Sequence, residues 1–176
     1  MPKKLKTEAI VLKKKNLPTK DILITVFSED FGKIAVFAKG VKSITSRRLP
    51  HLQTANLISA IISKSNDRLY LAETTLISAF SAIKKDPRKV DLIYFMFYIL
   101  DRLLPENHKE PQIYDIVKKF IVSLSKPIIN PKMQLQKYLN LILYKLGYID
   151  AEKSLSELKQ TIESLTNEKI PHFIYN

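Results

Sequence analysis

One stretch concentrates the residues that could do chemistry. From Asp30 to Arg48 the chain reads D-F-G-K-I-A-V-F-A-K-G-V-K-S-I-T-S-R-R, with cations recurring around Phe37. Over Lys33–Lys39 side chains at alternate positions share a face, so Lys33, Ala35, Phe37 and Lys39 lie opposite Ile34, Val36 and Ala38. An aromatic between two lysines suits a nucleic-acid strand, with a ring to stack a base and ammonium groups for phosphates. Lys42, Arg47 and Arg48 extend the positive charge into the following loop.

Signals for catalysis are missing. His51, His108 and His172 stand far apart in sequence, and none has metal-ligand spacing. There is no G-x-S-x-G, no H-E-x-x-H and no phosphate-cradling glycine loop, and the whole chain holds three glycines. With no cysteine there is no thiol nucleophile, disulfide framework or cysteine zinc site. The expectation is a protein that is not an enzyme and uses no cofactor or metal.

Charge points the same way as the motif. The net charge is +12, and residues 1–50 hold twelve Lys/Arg against four acids, a net of +8. Such asymmetry is the footprint of a polyanion partner, nucleic acid before membrane surface. The basic N-terminus, Met1-Pro2-Lys3-Lys4-Leu5-Lys6, lacks the apolar run of a signal peptide. The longest apolar run, Leu92–Leu100, is nine residues, whereas a membrane span needs about 20. No membrane partner is expected, and the lack of cysteine fits a cytoplasmic location.

The elements that must position these residues follow from periodicity. Strand-like runs occupy Thr7–Leu12, Asp21–Ser28, Lys33–Lys39, Gln53–Ser63 and Arg68–Ser78. A cationic loop, Lys13–Lys20, separates the first two, and Glu29–Gly32 turns the second into the third, with Gly32 free to take positive φ. Val41–Leu52, including Ser43, Thr45 and Ser46, is expected to be a long irregular loop, and Ser65–Asp67 a turn. Five short strands suggest a small closed barrel; the strand count fits an SH3-like barrel too, but the favoured form is the oligonucleotide/oligosaccharide-binding (OB) barrel. Its second and third strands would form the binding face, flanked by Lys13, Lys14 and Lys15 on one side and Lys64 and Arg68 on the other.

From residue 84 the period becomes helical. Asp86-Pro87 and Asn130-Pro131 are cap-plus-proline starts, Pro111 opens another helix, and Ser154/Glu157 form a capping box. Lys84, Lys85, Arg88 and Lys89 crowd a helix N-terminus, where the dipole disfavours them; this hints at a ligand, but solvated lysines are the favoured reading. The fold class is therefore α+β: an N-terminal five-stranded OB-type β-barrel over 1–80, then an α-helical bundle over 81–176.

Several short motifs resemble the RecO family of bacterial recombination mediators. They are Thr7-Glu8-Ala9-Ile10-Val11-Leu12, Asp21-Ile22-Leu23, Ser28-Glu29-Asp30-Phe31-Gly32-Lys33, Ala38-Lys39-Gly40-Val41-Lys42, Ser46-Arg47 with Leu52-Gln53, and Leu146-Gly147-Tyr148. The resemblance implies an OB barrel followed by a helical domain, and binding to single- and double-stranded DNA with strand annealing. It also implies partnership with RecR and single-strand-binding protein to help load RecA, in the cytoplasm at the nucleoid. Two departures stand out. Many members carry a cysteine zinc site after L-G-Y and continue for tens of residues, whereas this chain has no cysteine and stops at Asn176; no zinc is expected. The acid common two positions before Asp21 is Thr19 here.

The candidate DNA-binding residues are thus Lys13, Lys14, Lys15, Lys33, Phe37, Lys39, Lys42, Arg47, Arg48, Lys64 and Arg68. Two rival readings come from other classes. One is an RNA-binding OB protein; the other is an adapter whose cations dock acidic partner tails.

Overall fold

A computed structural model describes residues 4–43 and 46–171. Thr45, the first three residues and His172 lie outside the described residues.

Five strands close into a barrel in the order β1-β2-β3-β5-β4, with β4 returning to β1. They are β1 (Lys4–Asn16), β2 (Ile22–Ser28), β3 (Gly32–Ala38), β4 (Leu57–Ser65) and β5 (Arg68–Ser78). All pairings are antiparallel except β3 with β5, which is parallel and rests on one register pair, Phe37 opposite Tyr70. This is the OB topology, which settles the strand-count ambiguity.

Strand β1 is 13 residues long because it serves two neighbours. Lys4–Ile10 pair with β4, and Ala9–Asn16 pair with β2 across an irregularity between Val11 and Lys13. Such a bulge bends and twists a strand around a barrel corner. The expected loop at Lys13–Lys20 is thereby shortened, because β1 runs on to Asn16. Lys13, Lys14 and Lys15 sit in the strand opposite Thr25, Ile24 and Leu23. The backbone of β2 needs hydrogen-bond partners along its length, and that outweighs the weak strand propensity of three lysines.

The barrel interior is filled by alternate residues: Ile22, Ile24 and Val26, then Ile34, Val36 and Ala38, with Ile58, Ala60, Ile62 and Leu71 from β4 and β5. The 41–52 segment contributes Val41 and Leu52, both fully buried, and its end forms a 3-10 turn at Leu49–Leu52 rather than staying irregular. Buried Asn56 donates to the carbonyls of Pro50 and His51 and pins that turn. The β4–β5 hairpin turns at Asn66 and Asp67, both with positive φ (47° and 57°), the backbone of a type I′ turn.

The chain divides into two compact units, and the division falls inside a helix. The first comprises 1–79 together with 106–114; the second comprises 80–105 and 115–176. In the first, Glu106–Tyr114 forms a strap along the outer surface of β2 and β3. Glu106 bridges to Lys33, the Asn107 N–H donates to the Lys33 carbonyl at 2.8 Å, and the Lys109 ammonium reaches Asp30 at 3.6 Å. Gly32 (φ +68°) turns under this strap so closely that a Cβ there would lie 1.7 Å from the His108 carbonyl oxygen. Tyr114 meets Phe27 edge-on at 5.5 Å and donates its hydroxyl hydrogen to Glu8 Oε1 at 2.8 Å. Burial and the Glu8 carboxylate both push the tyrosine's pKa upward. An almost wholly apolar β2 makes sense on these terms: its inner side faces the barrel core and the lower part of its outer side faces the strap.

The second unit holds the helices. They are a one-turn α1 (Ser81–Lys84), then α2 (Pro87–Leu103), α3 (Pro111–Ser125), α4 (Pro131–Lys145) and α5 (Leu155–Thr166), with only the start of α3 counted in the first unit. Asp86 accepts from the Arg88 N–H, Asn130 from Lys132 and Met133, and Ser154 and Glu157 form the reciprocal capping box. The crowd of cations at the start of α2 has a structural explanation in part. Lys89 is buried, and its ammonium donates to the carbonyls of Leu124 (2.7 Å) and Lys126 (2.9 Å) at the C-terminal end of α3. A cation at a helix C-terminus complements the dipole there. Arg88 chelates its own cap, Asp86. Among the described residues no helix is long and apolar enough to cross a membrane.

Candidate nucleic-acid interface

Residues directly opposite on paired strands point to the same side of a sheet. Lys15 faces Leu23, Leu23 faces Phe37, and Phe37 faces Tyr70, so one row crosses β1, β2, β3 and β5 on the outside of the barrel. Two residues along each strand the same side carries Lys13, Thr25 and Ala35 in one direction, and Lys39 and Arg68 around the aromatic pair. The outer face is therefore bordered by cations at both margins.

Its centre is a four-membered stack. The Phe37 and Tyr70 rings lie 5.9 Å apart with a 38° tilt. The Lys39 ammonium sits 4.4 Å from the centre of the Tyr70 ring, and the Arg68 guanidinium 5.5 Å from that of Phe37. Both rings are partly exposed. Each cation–ring contact at such a site is worth about 0.5–1 kcal/mol, enough to hold the long side chains beside the rings. Chemically the row offers flat apolar surface for a base and positive charge on either side for the backbone.

Several candidates stand apart from it. Lys33 shares the parity of Phe37 but is 5% exposed, because the 106–109 strap covers that end of the face. It is shielded from any surface polyanion. Lys14 has the opposite parity and donates to Gln53 Oε1 at 2.8 Å. Lys64 pairs with Leu69, faces away from Tyr70, and lines a cavity of about 310 Å³ with Ile34, Ile62 and Leu69, its ammonium 3.2 Å from Asp67. Lys42 caps the Leu17 carbonyl at 2.6 Å, and Arg47 is exposed. Arg48 turns inward to the backbone: one nitrogen donates to the Lys39 carbonyl at 2.6 Å, the other to the Leu71 carbonyl at 3.1 Å.

Tyr70 is the functional candidate that reading the sequence missed. Its two-residue spacing from Arg68 was visible, but its partnership with Phe37 exists only once β5 closes on β3. Among the described residues no group of three or more His, Asp or Glu could hold a metal ion.

The fold and this face define an OB-barrel protein with a cationic, aromatic outer surface. Residues 1–80 match the family described as "Recombination protein O N terminal". The chain is similar to the DNA repair protein RecO of Caldanaerobacter subterraneus subsp. tengcongensis, 28% identical over 145 residues, which cover 82% of this chain and 59% of that protein. It is also similar to the RecO proteins of a Thermoanaerobacter species (28% identical; 82% and 58% covered) and of Geobacter metallireducens (24% identical; 92% and 67%). Through its N-terminal barrel the chain is similar to the RecO family. It spans about three fifths of the length of the first two relatives.

Proposed function

We propose that this protein acts in DNA repair as a recombination mediator without catalysing a reaction itself. A single DNA strand crosses the outer face of β2, β3 and β5, bases stack on Phe37 and Tyr70, and Lys39 and Arg68 meet phosphates. Lys13 and Lys15 receive the strand at the far margin. The observation that carries this reading is the Lys39–Tyr70–Phe37–Arg68 stack, which joins ring faces and cations on one exposed surface. Annealing follows if the basic face screens the charge of two strands while their base edges stay free. On this reading the partners are single- and double-stranded DNA, RecR and single-strand-binding protein, with RecA loaded as the consequence, in the cytoplasm at the nucleoid. The names of the relatives and the match of the barrel support it.

Titration of a labelled oligothymidylate against this chain at several salt concentrations tests the proposal. Four phosphate contacts on a single strand give a slope of log K against log salt of roughly −0.7 × 4, or about −2.8. A flat response would exclude the polyanion face. Annealing of complementary strands coated with single-strand-binding protein, with and without the chain, tests the mediator role directly.

A further inference from the structure

Asp21 and Arg48 meet at one peptide unit. The Lys39–Gly40 peptide offers its carbonyl oxygen to the Arg48 guanidinium at 2.6 Å, while its N–H donates to Asp21 Oδ1 at 2.8 Å. The same guanidinium reaches across to the Leu71 carbonyl on β5. This is the seam where β3 and β5 share a single register pair, so few ladder hydrogen bonds fix the end of β3. Gly40 (φ +66°) follows at once, and the chain leaves the barrel for the 41–52 segment.

The geometry points to Asp21 and Arg48 as a pair of positioning residues that clamp the Lys39–Gly40 peptide and so hold Lys39 over Tyr70 on the nucleic-acid face. The inference rests on the reading of that face given above. It reassigns Arg48 from a phosphate ligand to a strut, since its donors are directed at backbone carbonyls. It also gives a role to an acid that would otherwise only oppose a polyanion. Hydrogen bonds to charged groups are among the stronger ones, and here two act on opposite ends of one rigid, planar amide. The end of β3 is thereby fixed where the ladder alone is sparse.

The test separates the clamp from the face. In the free protein, Gly40 amide exchange measured by NMR reads the clamp. Asp21→Ala and Arg48→Met should each accelerate it about tenfold, the loss expected for a charge-assisted hydrogen bond. Asp21→Asn keeps an acceptor oxygen and should stay within about threefold of wild type, which also guards against misfolding in the alanine variant. Unchanged Gly40 exchange in Asp21→Ala or Arg48→Met would overturn the clamp.

Oligothymidylate affinity reads the coupling, and the signs are opposed. Removing a carboxylate from a basic face should tighten binding by charge alone, whereas the clamp requires Asp21→Ala to weaken it, about fivefold. Arg48→Lys keeps the charge but not the planar fork, and should weaken binding similarly. Tighter binding by Asp21→Ala, or wild-type binding by Arg48→Lys, would overturn the coupling. If wild-type protein bound no oligonucleotide, the reading of the face would fall, and Gly40 exchange would still decide the clamp.

Discussion

Replacing Gly32 with alanine tests whether the 106–114 strap is seated as a fixed part of the barrel. Two effects combine. The residue has φ +68°, a left-handed conformation that costs a side-chain-bearing residue about 1–2 kcal/mol. The new methyl group would also lie 1.7 Å from the His108 carbonyl oxygen and 2.6 Å from its carbon, backbone atoms that cannot rotate away. The strap must lift, which breaks the Asn107 N–H to Lys33 carbonyl bond, worth about 1 kcal/mol. The exposed Lys109–Asp30 pair adds little. The sum is a loss of about 3 kcal/mol. Gly40→Ala is the internal control, with nearly the same φ (+66°) but nothing within 4 Å of the added carbon, so it should cost only about 1 kcal/mol. Urea unfolding of the three proteins, followed by tyrosine fluorescence, gives the difference from the shift in midpoint at constant slope. Equal destabilisation by the two substitutions would refute the strap's close seating over Gly32.

Further outcomes follow from other sites. Tyr70→Ala and Phe37→Ala should each weaken oligothymidylate binding by about 1–3 kcal/mol while leaving the salt slope unchanged, since a ring carries stacking and no charge; titration at several salt concentrations checks this. Lys89→Met should lower stability in urea by about 2 kcal/mol, because two carbonyls at the end of α3 lose their donor. Acid should act on Asp21 only late. The Gly40 N–H holds its carboxyl below the ordinary value of 3.8, helped by Thr19, Lys39 and Lys42, with partial desolvation opposing. A depressed carboxylate contributes stability above its unfolded pKa and loses it as pH falls through the folded one. The Gly40 amide shift should therefore hold steady from pH 7 to about 5 and move only below the ordinary carboxylate range, which an NMR pH titration will show.

Much of the architecture was legible before any coordinates. The three side-chain-capped helix starts, Asp86-Pro87, Asn130-Pro131 and Ser154/Glu157, are local hydrogen-bond chemistry, and all three cap helices as expected. The β5 strand, the Gly32 turn and the alternation of Ile34, Val36 and Ala38 into the core were likewise readable, because a period of two leaves no choice of face once one side is buried. The reading of Lys13–Lys15 as a loop failed where tertiary pairing overrode propensity. The one-turn α1 was missed because four residues leave no periodic trace.

The candidate site divides along the same line. Sequence alone determined that cations and an aromatic share one face of β3, since alternation is a property of a single strand. Which of those cations meets solvent was decided by segments far away in the chain. The strap at 106–109 buries Lys33, whereas Lys39 stays exposed. Closure of β5 on β3 brings Tyr70 to Phe37 and Arg48 to the Lys39 carbonyl. Periodicity orders a side chain relative to its own backbone, whereas burial and partnership depend on what the rest of the fold lays across it.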